Sequence, residues 1–202
     1  ELIRLAALAY FGPGDKVLII EPTFGEYQVA CQIAGASVLK LQPSAENAFQ
    51  PNTEEVIKSM QQYRPKGIFI TNPNNPTGQY LSQKEFEKLL DASQGSLVVL
   101  DEAYISFVDN AWSSLDLVKA GNLLILRSMT KDYALAGLRL GYGVANEEII
   151  AIIRRICPPW NVNAFAQKAG IVALESEEYL RHCQAKIEQA KQYLVTELSR
   201  LG

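Results

Sequence analysis

Histidine occurs once in the 202 residues, as His182, and cysteine three times, as Cys31, Cys157 and Cys183, with no CxxC pair. So sparse and odd a set excludes a disulfide framework and a Cys/His zinc site, and reads as reduced thiols in a cytoplasmic protein. No apolar run approaches the ~18 residues that a membrane-spanning helix needs. The opening Glu1-Leu2-Ile3-Arg4 has neither the basic nor the long apolar region of a signal peptide. An excess of positive charge is missing too: 19 Lys and Arg against 22 Asp and Glu leave a formal −3. A nucleic-acid backbone wants a concentrated positive face, so neither nucleic acid nor membrane is an expected partner. The GxGxxG fingerprint of dinucleotide binding is also absent, because the first strand runs into Pro22-Thr23-Phe24-Gly25.

What is present is an ordinary folded composition, 48% apolar and 20% charged. At this length about 70% of the unfolded surface can be buried. The chain does not begin with Met. It opens on a helical pattern (Leu2, Leu5, Ala6, Ala9) without an N-cap and closes on a helix at Ser199-Arg200-Leu201-Gly202. The expectation is therefore a fragment truncated at both ends.

After the turn signal Gly12-Pro13-Gly14-Asp15, short apolar runs recur at Val17 to Ile20, Ser37 to Leu41, Gly67 to Thr71, Leu97 to Leu100 and Leu123 to Leu126. These read as strands buried on both faces. Between them lie helical stretches at Tyr27 to Ala34, Thr53 to Gln62, Ser82 to Ser93 and Leu115 to Ala120. Ser82 with Glu85 is a capping box that fixes one helix start. The alternation predicts an α/β/α sandwich, a mostly parallel sheet with helices on both faces. A sixth strand, Leu138 to Ala145, comes after the fifth with only a loop between them and is expected to run antiparallel. From Glu147 the pattern is helical, breaks at Cys157-Pro158-Pro159, and continues as two more helices. Tyr10, Trp112 and Tyr193 are assigned to packing, and His182 to the surface.

The informative feature is the polar cluster at the end of each strand. Apolar runs hand over to Glu21-Pro22-Thr23-Phe24, Asn72-Pro73-Asn74-Asn75, Asp101-Glu102-Ala103-Tyr104 and Arg127-Ser128-Met129-Thr130-Lys131. In open α/β sheets ligands bind beyond the carboxyl ends of the strands, so these clusters share one rim. The rim offers a carboxylate (Asp101), an amine (Lys131), a guanidinium (Arg139), hydroxyls (Ser128, Thr130, Tyr104), an amide (Asn75) and an aromatic face (Phe24). A pyridine-aldehyde cofactor needs that set: a lysine for an imine, a carboxylate against the ring nitrogen, and hydroxyl and guanidinium groups for a phosphate.

Asn72-Pro73-Asn74-Asn75-Pro76-Thr77-Gly78, Asp101-Glu102-Ala103-Tyr104, Ser128-Met129-Thr130-Lys131 and Gly137-Leu138-Arg139-Leu140-Gly141-Tyr142 resemble, in order and spacing, the signatures of fold-type I pyridoxal-phosphate enzymes. Within these the chain resembles the class I/II aminotransferases of the histidinol-phosphate aminotransferase and threonine-phosphate decarboxylase group. The resemblance implies that Lys131 forms the Schiff base with pyridoxal 5'-phosphate and moves the substrate proton. It implies that Asp101 pairs with the ring nitrogen, that Asn75 and Tyr104 hold the ring 3-oxygen, and that Phe24 stacks on the ring. Ser128, Arg139 and Thr130 would bind the phosphate. It further implies a PLP-binding large domain over residues 1–186, a helix at 187–202 leading toward a small domain, and a homodimer of the intact protein.

Three functions stay open. The first is an aminotransferase passing an amino group from a phosphorylated amino compound to a 2-oxo acid, since Ala136-Gly137-Leu138-Arg139 looks like the histidinol-phosphate enzymes. The second is a decarboxylase of threonine phosphate, which Ser128 to Tyr133 and Pro158 to Asn163 resemble more closely. The third is a non-catalytic sensing domain of the same shape. The fragment by itself is expected to lack measurable turnover.

Overall fold

Strands and helices alternate because short unbroken apolar runs alternate with amphipathic stretches. The computed structural model describes residues 1–201. Its strands are β1 (Lys16–Ile20), β2 (Ser37–Leu41), β3 (Gly67–Thr71), β4 (Leu97–Asp101), β5 (Leu123–Ser128) and β6 (Gly141–Val144). Its helices are α1 (Leu2–Tyr10), α2 (Glu26–Ile33), α3 (Thr53–Tyr63), α4 (Gln83–Ala92), α5 (Glu147–Ile156), α6 (Ala164–Leu174) and α7 (Glu177–Ser199). The strands form one sheet in the order β2-β1-β3-β4-β5-β6. Every neighbouring pair is parallel except β5 and β6, which are antiparallel as expected.

Both faces of the sheet are covered. On one, Val17, Ile19, Phe69, Val99, Leu124 and Leu126 pack with residues of α1, α2 and α5. On the other, Leu18, Ile68, Ile70, Val98, Leu100, Leu123 and Ile125 meet Val56 and Met60 of α3 and Phe86, Leu89 and Leu90 of α4. Side chains in a strand alternate between faces, and that parity positions the site. Thr71, Asp101 and Ser128 each stand two residues beyond a member of the first set (Phe69, Val99, Leu126). All three therefore end their strands on the α1–α2 side.

Local signals set several boundaries. Ser82 Oγ accepts from the Glu85 amide at 3.3 Å, and Glu85 Oε2 accepts from the Ser82 amide at 2.8 Å, which completes the capping box before α4. Asn52, Asn146 and Asn163 cap α3, α5 and α6 through their side-chain oxygens.

Three expectations need correction. The sixth strand begins at Gly141 rather than Leu138, because Ala136–Leu138 forms a 3-10 turn and Arg139 has φ +57°, which ends any extended run. Leu115–Ala120 is a 3-10 helix rather than an α-helix, closed by Gly121 at φ +91°. Tyr193 is 66% exposed on α7, not packed. Trp112 does pack, against Phe86 with ring centroids 5.4 Å apart, and its indole N–H donates to the Leu81 carbonyl at 2.9 Å. His182 is exposed, as expected. Cys31 is fully buried, and burial pushes its thiol up to about 11, so it is an inert core residue.

Candidate active site

The carboxyl ends of β1, β3, β4 and β5 converge as the parallel register requires: Thr71 pairs with Asp101, and Asp101 with Leu126. Asp101 is the last residue of β4 and 7% exposed. Its Oδ2 accepts from the Tyr27 phenol at 2.8 Å and its Oδ1 from the Ala103 amide at 2.9 Å. Among the described residues no lysine or arginine nitrogen stands at ion-pair distance from it. Burial pushes its carboxyl above the ordinary range, opposed by those two hydrogen bonds and by the Lys131 charge. A buried carboxylate so poorly compensated calls for a cationic partner from outside the chain.

Lys131 lies just past β5, exposed, with Nζ 5.7 Å from the centroid of the half-buried Tyr104 ring. Ser128 and Thr130 bring their hydroxyls within 2.7 Å of each other, and the Thr130 amide donates to Ser128 Oγ at 3.3 Å. The Met129 amide donates to the Leu140 carbonyl at 3.1 Å, and the Leu135 amide to the Met129 carbonyl at 3.3 Å. Those two bonds fold the 129–140 loop back and set Arg139 beside the end of β5. The Arg139 guanidinium is exposed and donates to the Ala136 carbonyl at 2.9 Å, leaving further N–H groups for an anion.

Asn75 is half-buried, and among the described residues its amide takes part in no hydrogen bond. Its loop is fixed instead by its neighbours. Asn72, fully buried, accepts from the Leu81 amide at 2.7 Å. Phe24 is 42% exposed and meets Tyr27 edge-on at 5.8 Å, which leaves part of its ring accessible at the rim. All eight residues singled out in the sequence thus stand on one rim. Their donor set fits pyridoxal phosphate, with Asp101 as the buried anion, Lys131 as the amine and Ser128, Thr130 and Arg139 as anion donors.

Three contributors were missed. Tyr27 bonds Asp101 across 74 residues of sequence. The only hint was an aromatic in the first turn of α2, three residues after Phe24. Glu102 is fully buried and paired with Arg127, Oε2 to Nη2 2.8 Å, tying the end of β4 to β5. Opposite charges at the ends of two adjacent apolar runs could have suggested that pair. Asp132, 8% exposed, accepts from Ser106 Oγ at 2.9 Å and anchors the residue after Lys131. Burial raises its pKa against that bond.

Comparison with known proteins gives one family. The family described as Aminotransferase class I and II matches residues 1–202. A histidinol-phosphate aminotransferase of Moorella thermoacetica is 38% identical over 207 residues, covering all of this chain and 53% of the relative. The crystal structure of the histidinol-phosphate aminotransferase from Clostridium acetobutylicum superposes with a TM-score of 0.89 at 31% identity, over 100% of this chain and 59% of the other. That of L-threonine-O-3-phosphate decarboxylase from Porphyromonas gingivalis gives 0.83 at 28% identity, over 98% and 61%. The chain spans about half the length of the curated relatives it matches. With the rim residues, the sheet order and the whole-length match in agreement, the chain belongs to the aminotransferase class I and II family.

Proposed function

We propose that the intact protein is a pyridoxal-phosphate-dependent aminotransferase that takes an amino group from a phosphorylated amino compound of the histidinol-phosphate type and passes it to a 2-oxo acid. The observation that carries this reading is the buried Asp101 carboxylate, without a cation from the chain, at the centre of a rim that also holds Lys131. The similarity to histidinol-phosphate aminotransferases at 31–38% identity supports the choice of substrate class.

When bound, the cofactor supplies an electron-accepting ring conjugated to the substrate nitrogen. Asp101 holds a proton at the ring nitrogen. Asn75 and Tyr104 would donate to the ring 3-oxygen, and Phe24 would lie against the ring face. Ser128, Thr130 and Arg139 grip the phosphate. Lys131 Nζ would hold the aldehyde end of the cofactor and would move a proton at the substrate Cα. As parts of the same proposal, residues 1–186 make up the cofactor-binding large domain and 187–202 lead toward a small domain. The intact protein acts as a cytoplasmic homodimer on small-molecule amino and 2-oxo acids. Among the described residues no helix is long and apolar enough to cross a membrane.

The likeness to threonine-phosphate decarboxylase over 98% of this chain favours a second reading, decarboxylation with the same residues in the same roles. The test uses full-length protein loaded with pyridoxal phosphate and no 2-oxo acid. Histidinol phosphate and threonine phosphate are added in turn while absorbance and released carbon dioxide are followed together. The expected result is conversion of the cofactor to its amine form with histidinol phosphate and no carbon dioxide. Carbon dioxide from threonine phosphate establishes the second reading, and no change with either substrate leaves a sensing domain.

A further inference from the structure

Four polar contacts run in single file from Asp101 to Asn74. Tyr27 Oη is 2.8 Å from Asp101 Oδ2, Thr71 Oγ1 is 2.9 Å from Tyr27 Oη, Thr23 Oγ1 is 3.1 Å from Thr71 Oγ1 and 2.8 Å from Asn74 Oδ1. Counting protons fixes the direction of this file. Asn74 Nδ2 lies 2.9 Å from the Pro22 carbonyl oxygen, which can only accept. The amide nitrogen must therefore face Pro22 and the amide oxygen must face Thr23. Thr23 then has its one hydroxyl proton committed to Asn74. An ionised Asp101 can also only accept, which commits the Tyr27 proton to Oδ2. Thr71 holds the one uncommitted proton, with Tyr27 and Thr23 as its two possible acceptors. It goes to Tyr27, the nearer, and the contact left without a proton is the longest of the four.

We propose that Tyr27 and Thr71 are positioning residues which polarise this hydroxyl file toward Asp101, keeping its carboxylate ionised and aimed at the rim. The proposal rests on the reading of Asp101 as the partner of the cofactor's ring nitrogen. The other groups facing Asp101 are the Ala103 amide on its own segment and Lys131 beyond β5, with Tyr104 facing Tyr27. Tyr27 is thus the one side-chain donor to Asp101 among the described residues. Its own proton is secure, because burial and the Asp101 charge push the phenol far above its ordinary range. The proton count splits the file in two. Thr71 and Tyr27 point their protons toward Asp101, while Thr23 joins the Pro22-Thr23 turn to Asn74, the neighbour of Asn75. The two halves meet at the protonless Thr71–Thr23 contact.

The test is carbon-13 NMR of full-length protein labelled at the aspartate carboxyls, titrated with and without pyridoxal phosphate. Asp101→Asn identifies the Asp101 signal by its disappearance. Loss of one hydrogen bond to a charged group predicts that Tyr27→Phe raises the Asp101 midpoint by about one pH unit or more. Thr71→Val keeps the side-chain shape but removes the proton donated to Tyr27, and is expected to give a smaller rise that Thr71→Ser reverses. A midpoint that stays at the wild-type value in Tyr27→Phe, or in Thr71→Val, overturns the proposal. In wild-type protein, bound cofactor is expected to lower the midpoint further. If it does not, while the variants still shift it, the ring-nitrogen reading fails and the hydroxyl file stands.

Discussion

Asp101 shows at the scale of one residue how a functional group opposes the fold that holds it. Burial raises its folded-state pKa above the ordinary value of 3.8. Below that value both folded and unfolded states carry the proton, and the residue costs nothing. As pH rises through the interval up to the folded-state pKa, the unfolded chain releases its proton more readily and stability falls. Asp101→Asn is therefore expected to stabilise the cofactor-free full-length protein at pH 7 more than at pH 4, measured by urea denaturation, while abolishing transamination. The hydrogen bonds survive the change, since Tyr27 can turn its hydroxyl to accept from the new amide and donate to Thr71. Arg139 calls for a different measurement. Its exposed guanidinium makes only one bond within the chain. Arg139→Ala is expected to raise the dissociation constant for pyridoxal phosphate about 10–100-fold, the worth of a charge-assisted hydrogen bond, and to leave the absorbance of the bound cofactor unchanged. An unaltered constant would remove Arg139 from the phosphate site. Asp101 was legible in the sequence because a polar residue directly after a wholly apolar run has nowhere to stand but the strand end. The other seven rim residues stand further from the ends of the apolar runs and were picked out by their chemistry and by the family resemblance. Tyr27 was not legible, because nothing local distinguishes it from any other aromatic facing a sheet.

Elements differ in how much of their length is dictated locally. β2 and β3 match the expected ranges residue for residue, β3 because both faces of a central strand need apolar side chains. β2 lies at the sheet edge with Ser37 and Lys40 exposed and none of its residues buried, so the expectation of burial on both faces does not hold there. β4 and β5 run further than expected, to Asp101 and Ser128, since ladder pairing continues past the last apolar residue. β6 was read too long, because its start depends on the 129–140 loop folding back, which is a tertiary event. Gly141 marks the place where that event is tightest: a Cβ there would stand 2.7 Å from the Arg127 carbonyl oxygen. The obstacle is backbone in the neighbouring strand, so Gly141→Ala is expected to cost about 1–3 kcal/mol by urea denaturation. It should also weaken cofactor binding, since it displaces Arg139 and Ser128 together. Destabilisation without loss of affinity would show that β6 only closes the sheet edge.

Across the whole molecule, the Glu102–Arg127 pair joins the sheet to the site. Glu102 is fully buried and its Oε1 has no partner among the described residues, whereas the Arg127 side chain keeps 23% exposure. Removing the arginine strands a buried anion. Removing the charge of the glutamate leaves a cation that still reaches water. Arg127→Met is therefore expected to cost about 3–5 kcal/mol in full-length protein and Glu102→Gln clearly less, by thermal or urea denaturation. Equal losses would mean that packing, not charge, sets the cost. At this scale α7 stands apart, with none of its residues buried and Tyr193, Leu194, Val195 and Leu198 all exposed. The sequence by itself determined the layers, the succession of strands and helices along the chain and the eight candidate rim residues, because burial on two faces and the chemistry of strand ends are written in adjacent residues. Only the tertiary structure decided which groups act on one another. Tyr27 with Asp101 and Arg127 with Glu102 meet through parallel register and helix-on-sheet packing, and those depend on contacts between segments that are distant in the chain.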